Sequence, residues 1–246
     1  MTYFLAPGEL AAGMTVELEG AEARHLLESR RIRPGERFAL QDPAGRRFWA
    51  ELLQAHRRTA HARVLGPAPV PPPPPVAVRL WVGAPKEKAA EWIVQKATEL
   101  AAAELHVFPA RYSPISRDDL HAPRTLERWK RIALEACKQC DRQFPPAIAL
   151  QPHLDALLAA RQDKGVAWLM EAGGGAPQRS PLAATAGVTV LVGPEGGLAE
   201  EERQAALRAG FAAVTLGPLT LRTETAALAA CAVAMQAGSD KPGNDG

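Results

Sequence analysis

A run of five consecutive prolines divides this 246-residue sequence into two segments of different character. The run lies within GPAPVPPPPPV, residues 66–76. Proline offers no backbone N–H donor and favours the stiff polyproline II helix, so the five prolines form a spacer of roughly 15 Å rather than a central strand. We therefore predict a first domain at 1–66, a proline-rich linker at 67–75, a second domain at 76–237 and a disordered polar tail at 238–246.

The segment before the prolines is typical of a small β-barrel. Apolar residues alternate in several short stretches, DPAG forms a hairpin turn, and a short helix fits over about residues 21–29. The predicted strands are 15–19, 36–41, 46–53 and 59–65.

The same segment carries the basic excess of the chain. Residues 21–65 contain ten arginines against five acidic residues, whereas the net charge of the whole protein is only +2. A concentrated arginine excess indicates a nucleic-acid-binding module. A solvated charged face is the alternative that charge alone leaves open.

After the prolines, strand-like and helical patterns alternate. This order predicts an α/β fold, in which a mainly parallel sheet is covered by helices on both faces. The predicted strands are 76–83, 105–108, 166–170, 188–192 and 212–216, and the later helices are about 200–209 and 223–237. Such sheets bind ligands beyond the carboxyl ends of their strands, where MEAGGG, GPEGG and GPLTLR follow three of them.

The GPEGG loop at 193–197 restricts the kind of ligand. It lacks the Gly-Lys-Ser/Thr of a P-loop and the spacing of a dinucleotide fingerprint, and the three glutamates at 200–202 would repel a polyphosphate. A ligand held by backbone groups, neutral or cationic at this loop, fits better, and S-adenosylmethionine with its sulfonium is one. A turn without a ligand is the alternative.

Other features exclude several classes of protein. Cys137 and Cys140 lie inside a helical pattern, where a redox motif does not start, and the histidines show no metal-ligand spacing. No apolar run is long enough for a membrane span, and the N-terminus lacks signal-peptide features. We expect a cytoplasmic protein without metal or membrane attachment.

Two motifs together carry a family resemblance. LVGPEGGLAEEE and LGPLTLRTETAALAA resemble the C-terminal motifs of the bacterial 16S rRNA uracil-N3 methyltransferases, which belong to the SPOUT class. EWIVQKATEL and ERWKRIALEACKQCDRQFPPAI also match. The resemblance implies a C-terminal SPOUT domain with a deep trefoil knot, an N-terminal PUA-like RNA-binding barrel, and a homodimer. It also implies S-adenosylmethionine as methyl donor and one uridine of the small-subunit RNA as acceptor.

The resemblance also implies roles for individual residues. Arg222 is the candidate for stabilising negative charge on the uracil, with Glu224 as a general base or as the residue that orients Arg222; a plain surface ion pair is the alternative. The expected cofactor-binding residues are Leu169, Met170, Glu171, Gly193, Pro194, Glu195, Gly196, Gly197, Leu216, Gly217, Leu219, Leu221 and Arg222. The expected RNA-binding residues are Arg24, His25, Arg30, Arg31, Arg33, Lys86, Lys88, Arg111 and Arg142.

The chain departs from the family pattern at a few positions. Leu219 stands where the family usually has arginine, and Ala199 stands where serine or threonine usually precedes the acidic helix. Ala199 therefore predicts a weaker helix N-cap, whereas Thr223 is expected to cap the last helix. A SPOUT enzyme that methylates a ribose 2′-hydroxyl and a catalytically silent RNA-binding assembly factor are the alternative functions.

Overall fold

The structure is a computed structural model that describes residues 2–56, 58–162, 165–177 and 187–239. The chain divides into two compact units. The first holds Met1–Pro72 together with Cys137–Phe144, and the second holds Pro73–Ala136 and Pro145–Gly246. Most of the expected tail at 238–246 lies outside the described residues, and the last helix continues to Ser239.

The first unit is built on an open five-stranded sheet in the order β1-β3-β4-β5-β2. Its strands are β1 (Tyr3–Leu5), β2 (Thr15–Glu19), β3 (Arg37–Gln41), β4 (Arg47–Ala55) and β5 (Thr59–Pro67). The four predicted strands are confirmed to within two residues at each end. The three-residue β1, which pairs in parallel with β3, had no sequence pattern of its own. β1 and β2 form the two edges within the described part of the chain, and the strand content fits an N-terminal barrel.

The predicted helix at 21–29 is present but not uniformly α-helical. α1 (Gly20–Arg24) continues directly as a π-helix over His25–Ser29. The wider turn buries Leu26 completely and leaves the His25 ring 5.2 Å from the ring of Phe4. His25, which we expected to bind RNA, is therefore half-buried by its packing against Phe4.

The segment Cys137–Phe144 joins the first unit through buried polar bonds. The buried guanidinium of Arg47 pairs with the Asp141 carboxylate and donates to the Asp141 carbonyl at 2.8 Å. The Tyr3 hydroxyl donates to the carbonyl of Arg142 at 2.7 Å. Burial raises the pKa of the Cys137 thiol to about 12, so this cysteine is a neutral packing residue at neutral pH.

The second unit is a six-stranded sheet in the order β11-β9-β10-β6-β7-β8, and every neighbouring pair is parallel. The strands are β6 (Val78–Gly83), β7 (Glu104–Phe108), β8 (Ala147–Leu150), β9 (Val166–Gly175), β10 (Val188–Val192) and β11 (Ala212–Val214). The helices are α2 (Glu87–Glu99), α3 (Arg117–Leu120), α4 (Pro123–Cys140), α5 (Leu154–Ala160), α6 (Glu200–Arg208) and α7 (Thr223–Ser239). The predicted parallel α/β architecture is confirmed, while β8, α3 and α5 were not predicted.

Side chains on each face of the sheet form part of a separate hydrophobic core. Val190 and Val192 pack in the cluster that includes α2, α4 and α7, whereas Leu191 packs in the cluster that includes α5 and α6. Successive residues of a strand point to opposite faces, so a strand between two helical layers is buried at every position. This explains why VTVLV is buried at all five positions.

α7 packs against α2 and the sheet, and its small side chains permit this close approach. A Cβ added at Gly238 would lie 2.7 Å from the Cβ of Val76. The alanine-rich composition of α7 therefore serves packing inside the second unit.

Candidate active site

The loops after β9, β10 and β11 surround a pocket of about 490 Å³ at the carboxyl edge of the sheet. Most of the expected cofactor-binding residues line it: Leu169, Met170, Glu171, Gly193, Pro194, Glu195, Gly197, Leu216, Leu219, Leu221 and Arg222. Gly196 and Gly217 do not line the pocket. A Cβ at Gly196 would lie 2.7 Å from the Cβ of Tyr112, so this glycine permits close packing on Tyr112 instead.

The first wall of the pocket comes from an irregular strand. We expected MEAGGG to follow β9 as a loop, but the strand extends to Gly175. Its pairing with β11 shifts between Leu169 and Gly175, opposite Ala213 and Val214. Glycine permits the strand to approach β11 again after the shift, because a Cβ at Gly174 would lie 2.7 Å from the backbone nitrogen of Val214. Glu171 belongs to the displaced stretch.

The second wall is the GPEGG loop, which closes on itself. The amide of Gly197 donates to the carbonyl of Pro194 at 2.8 Å, and Gly197 has a φ of 75°, a conformation that favours glycine. A Cβ at Gly193 would lie 3.0 Å from backbone atoms of Gly197 and Leu198. Glycine is therefore required at both ends of the turn, for different reasons.

The acidic residues around this loop bind backbone amides. Oε1 of Glu195 accepts a hydrogen bond from the amide of Lys86 at 3.1 Å. Glu202 accepts from the amide of Ala199 at 2.9 Å through Oε2 and from the amide of Arg111 at 3.0 Å through Oε1. The expected weakness of an alanine N-cap is thus offset by Glu202, which satisfies an amide at the start of α6. These carboxylates join the loops after β6 and β7 to the GPEGG region.

The third wall is the segment before α7, and here one prediction was wrong. Thr223 does not cap the helix. Its hydroxyl donates to the carbonyl of Gly193 at 3.1 Å, and the amide of Ala226 donates to the carbonyl of Arg222 at 2.8 Å. Arg222 therefore occupies the N-cap position, and the threonine connects the two sequence motifs because its side chain is turned toward the loop.

Only one of the two candidate catalytic residues lies at the pocket. Arg222 is exposed and lines the pocket, whereas Glu224, in the first turn of α7, does not. Among the described residues, no ion pair joins them. Leu219, at the position where the family usually has arginine, is 75% exposed at the pocket.

An ion pair in the pocket was missed from the sequence. Arg203 of α6 binds Glu171 with both arms of its guanidinium, Nε to Oε2 at 2.7 Å and Nη2 to Oε1 at 2.9 Å. Both side chains line the pocket. The only sequence signal is an arginine that directly follows three glutamates, which is equally typical of an ordinary solvated helix start.

The expected RNA-binding residues are divided between the two units. In the first unit, Arg24, Arg30, Arg31 and Arg33 are exposed, whereas His25 and Arg142 are half-buried. In the second unit, Lys86, Lys88 and Arg111 are exposed. Lys86 also lines a second cleft, of about 1010 Å³, with Arg124, Arg128 and Arg131 of α4.

Two further observations concern the described residues only. They contain no group of three or more His, Cys, Asp or Glu side chains that could hold a metal ion. No helix among them has the length and apolar character needed to cross a bilayer.

Comparison with known proteins identifies the family. Residues 72–235 match the family model of the RNA methyltransferase domain. The chain is 34% identical over 226 residues to ribosomal RNA small subunit methyltransferase E of Mycobacterium bovis, covering 89% of this chain and 85% of the relative. The chain belongs to the ribosomal RNA small subunit methyltransferase E family. The resemblance found in the two motifs is thereby confirmed.

Two solved methyltransferase structures have the same fold. The enzyme from Neisseria gonorrhoeae, bound to S-adenosyl methionine, matches with a TM-score of 0.84 and 32% identity over 96% of this chain and 97% of that chain. A methyltransferase from Legionella pneumophila, also solved with this cofactor, matches with a TM-score of 0.86 and 25% identity over the same shares.

Proposed function

We propose that this protein transfers a methyl group from S-adenosylmethionine to N3 of a uridine in 16S ribosomal RNA. The observation that carries the proposal is the pocket in which both family motifs meet, joined by the bond between Thr223 and Gly193. Membership of the methyltransferase E family supports ribosomal RNA as substrate. We infer N3 as the methylated atom because the two motifs resemble those of the uracil-N3 methyltransferases.

The pocket fits the adenosyl cofactor in size and in chemistry. A volume of about 490 Å³ lies in the range of small-molecule sites. Its walls offer leucine side chains and the backbone of a glycine loop, and the amides around the three glutamates are already occupied by carboxylates. When bound, the cofactor supplies an electrophilic methyl group on a sulfonium.

The chemistry of the acceptor nitrogen determines which groups the protein must provide. Uracil N3 carries a proton at neutral pH, and the nitrogen becomes a good nucleophile when that proton leaves. The negative charge then spreads to O2 and O4, where a fixed cation stabilises it. We assign this role to Arg222, which lines the pocket and has an exposed side chain. We propose Glu224, two residues on in the first turn of α7, as the acceptor of the proton; among the described residues no ion pair with Arg222 supports the alternative that it orients that side chain.

The arginine-rich first unit would hold the RNA. The exposed Arg24, Arg30, Arg31 and Arg33 suit phosphate contacts, which position a nucleic acid without reading its sequence. We propose that residues 1–66 form the PUA-like RNA-binding domain, that 67–75 form a linker, and that 76–237 carry out methyl transfer. The target uridine would be turned out of its RNA helix toward the pocket.

We also propose the trefoil knot and the homodimer of the SPOUT class. Both proposals rest on the family resemblance of the two motifs. We propose that the protein works in the cytoplasm, where it would meet small ribosomal subunits.

The test is to incubate the protein and methyl-labelled cofactor with unmethylated small subunits, then digest the RNA and identify the labelled nucleoside by mass spectrometry. We expect 3-methyluridine. Label in a 2′-O-methylated nucleoside would indicate a ribose methyltransferase. RNA binding without cofactor affinity would indicate an assembly factor instead.

A further inference from the structure

We propose that the Glu171 carboxylate, held in place by Arg203, accepts hydrogen bonds from the two ribose hydroxyls of the adenosyl group. The inference rests on the proposed function, because it assumes that the pocket takes an adenosyl cofactor. It gives Arg203 the role of a positioning residue and makes the pair the determinant of ribose recognition.

The geometry of the pair fixes the carboxylate in one orientation. Two parallel bonds of 2.7 and 2.9 Å join the guanidinium of Arg203 to both oxygens of Glu171. Such a fork holds the two planar groups more rigidly than a single bond. In addition, Oε1 of Glu200 lies 3.5 Å from Nη1 of Arg203, so a second carboxylate helps to hold the guanidinium on α6.

The remaining bonding capacity of Glu171 matches a vicinal diol. A carboxylate offers about four lone-pair sites, and the fork occupies two of them, one on each oxygen. One acceptor site on each oxygen is left. Two neighbouring hydroxyl donors, such as the 2′ and 3′ hydroxyls of ribose, can therefore bind side by side.

Three other polar side chains at the pocket make hydrogen bonds within the protein. Glu195, the other carboxylate in the lining, accepts from the amide of Lys86. The hydroxyl of Thr215 donates to Gly217, and that of Thr223 donates to Gly193. Glu195 still has acceptor sites, but among the described lining residues Glu171 is the carboxylate that an arginine holds in one orientation.

The charge of the pair favours hydroxyl groups over the ammonium group of the cofactor. Arg203 compensates the charge of Glu171, and the second carboxylate on this guanidinium, Glu200, is exposed to water that screens it, so Glu171 presents acceptor atoms with reduced charge. An ammonium would gain less from such a pair than from an unpaired carboxylate, and it would also face the guanidinium. Neutral donors do not have this disadvantage.

Calorimetry with ribose-modified ligands tests the inference. The ligands are 5′-methylthioadenosine, its 2′-deoxy and 3′-deoxy forms, and S-adenosylhomocysteine. We expect the full-length protein to bind methylthioadenosine about tenfold more tightly than either deoxy form, the effect of a lost hydrogen bond to a charged group. This comparison needs no variant, so a folding defect cannot obscure it.

Variants then locate the effect. In Glu171→Gln and Arg203→Lys, the preference for the full ribose should fall to within about threefold, because the first loses the charge and the second loses the fork. The matched controls Glu201→Gln and Arg208→Lys, exposed residues of the same helix α6, should keep the preference. If the pair had a merely structural role, the variants would bind all adenosine ligands equally less tightly, and the ratio of the affinities for ribose and deoxyribose forms would stay unchanged.

Three results would overturn the inference. Equal affinity of the unchanged protein for ribose and deoxyribose forms is the first, and an unchanged ratio in Glu171→Gln is the second. The third is a Glu171→Gln variant that loses affinity for S-adenosylhomocysteine but not for methylthioadenosine, since the carboxylate would then hold the ammonium. If no adenosyl compound binds at all, the proposed function fails as well, which distinguishes the two failures.

Discussion

The hydroxyl of Thr223 donates a hydrogen bond of 3.1 Å to the carbonyl of Gly193 and so joins the two motifs that define the site. Thr223 is the first residue of α7 and is 4% exposed, so the bond is shielded from water. It connects residues 30 positions apart in the chain. The pocket wall therefore depends on a single side chain at this point.

Replacing Thr223 by valine should loosen this connection. The shape is conserved, but the Gly193 carbonyl loses its donor, which should lower the free energy of unfolding by about 1–2 kcal/mol. Urea unfolding measures this loss, and calorimetry with S-adenosylhomocysteine should show weaker binding. Thr223→Ser keeps the hydroxyl and serves as the control. Equal stability of the valine and serine variants would contradict the structural role of the bond.

Gly193→Ala should distort the GPEGG loop. The added Cβ would lie 3.0 Å from backbone atoms of Gly197 and Leu198, which cannot move as a side chain would. Overpacking of this kind costs about 1–3 kcal/mol, so we expect binding of S-adenosylhomocysteine to weaken by about tenfold or more. At Gly66 the added Cβ would meet nothing within 4 Å, so Gly66→Ala is the matched control. An affinity that is the same in both variants would argue against the loop as a binding wall.

Arg222→Ala should separate chemistry from binding. If its guanidinium stabilises the uracil anion, turnover should fall by about 10²–10³-fold, as for the removal of an oxyanion donor. Affinity for S-adenosylhomocysteine should stay within about threefold of the unchanged protein, equivalent to less than 1 kcal/mol. Methylation of small subunits under single-turnover conditions measures the first effect. Arg208→Ala, exposed on α6, is the control, and unchanged turnover in Arg222→Ala would refute the assignment.

Arg30→Ala and Arg33→Ala should reduce the salt dependence of RNA binding. Each lost phosphate contact should lower the slope of log K against log salt by about 1. Binding is measured with 16S RNA fragments over a series of salt concentrations. Arg63→Ala, an exposed arginine on β5 of the same unit, is the control. Arg31 is left unchanged because its φ of 54° would add a backbone effect. Slopes that equal that of the control would show that these arginines do not contact phosphate.

The sequence was sufficient for the elements whose patterns are long or sharply bounded. β10 was predicted at its observed limits, because an apolar run between glycines can only be a buried strand or a much longer helix. β8 and α3 have four residues each, too few for a period to be visible. The β9 extension was missed because glycines usually end a strand, whereas here they let it pass close to Val214.

The site was predictable as a set of backbone loops but not as a set of side-chain bonds. The positions of the three loops followed from the α/β order, since they all lie at the carboxyl ends of parallel strands. The partners of Glu195, Glu202 and Thr223 did not follow, because each bond joins segments that only the folded chain brings together. Arg203 was missed for the same reason: its partner Glu171 is 32 residues away.

The hydrogen bonds that Glu195 and Glu202 accept from distant backbone amides have a consequence for the order of folding. The bond from Lys86 to Glu195 spans 109 residues, and that from Arg111 to Glu202 spans 91. Contacts between such distant positions form late, because the loop between them must close first. During synthesis, β6 and β7 leave the ribosome long before residues 193–223 are available. We therefore expect a nascent chain to have most of its sheet before it has any pocket, so that the cofactor can be bound only by an almost finished protein.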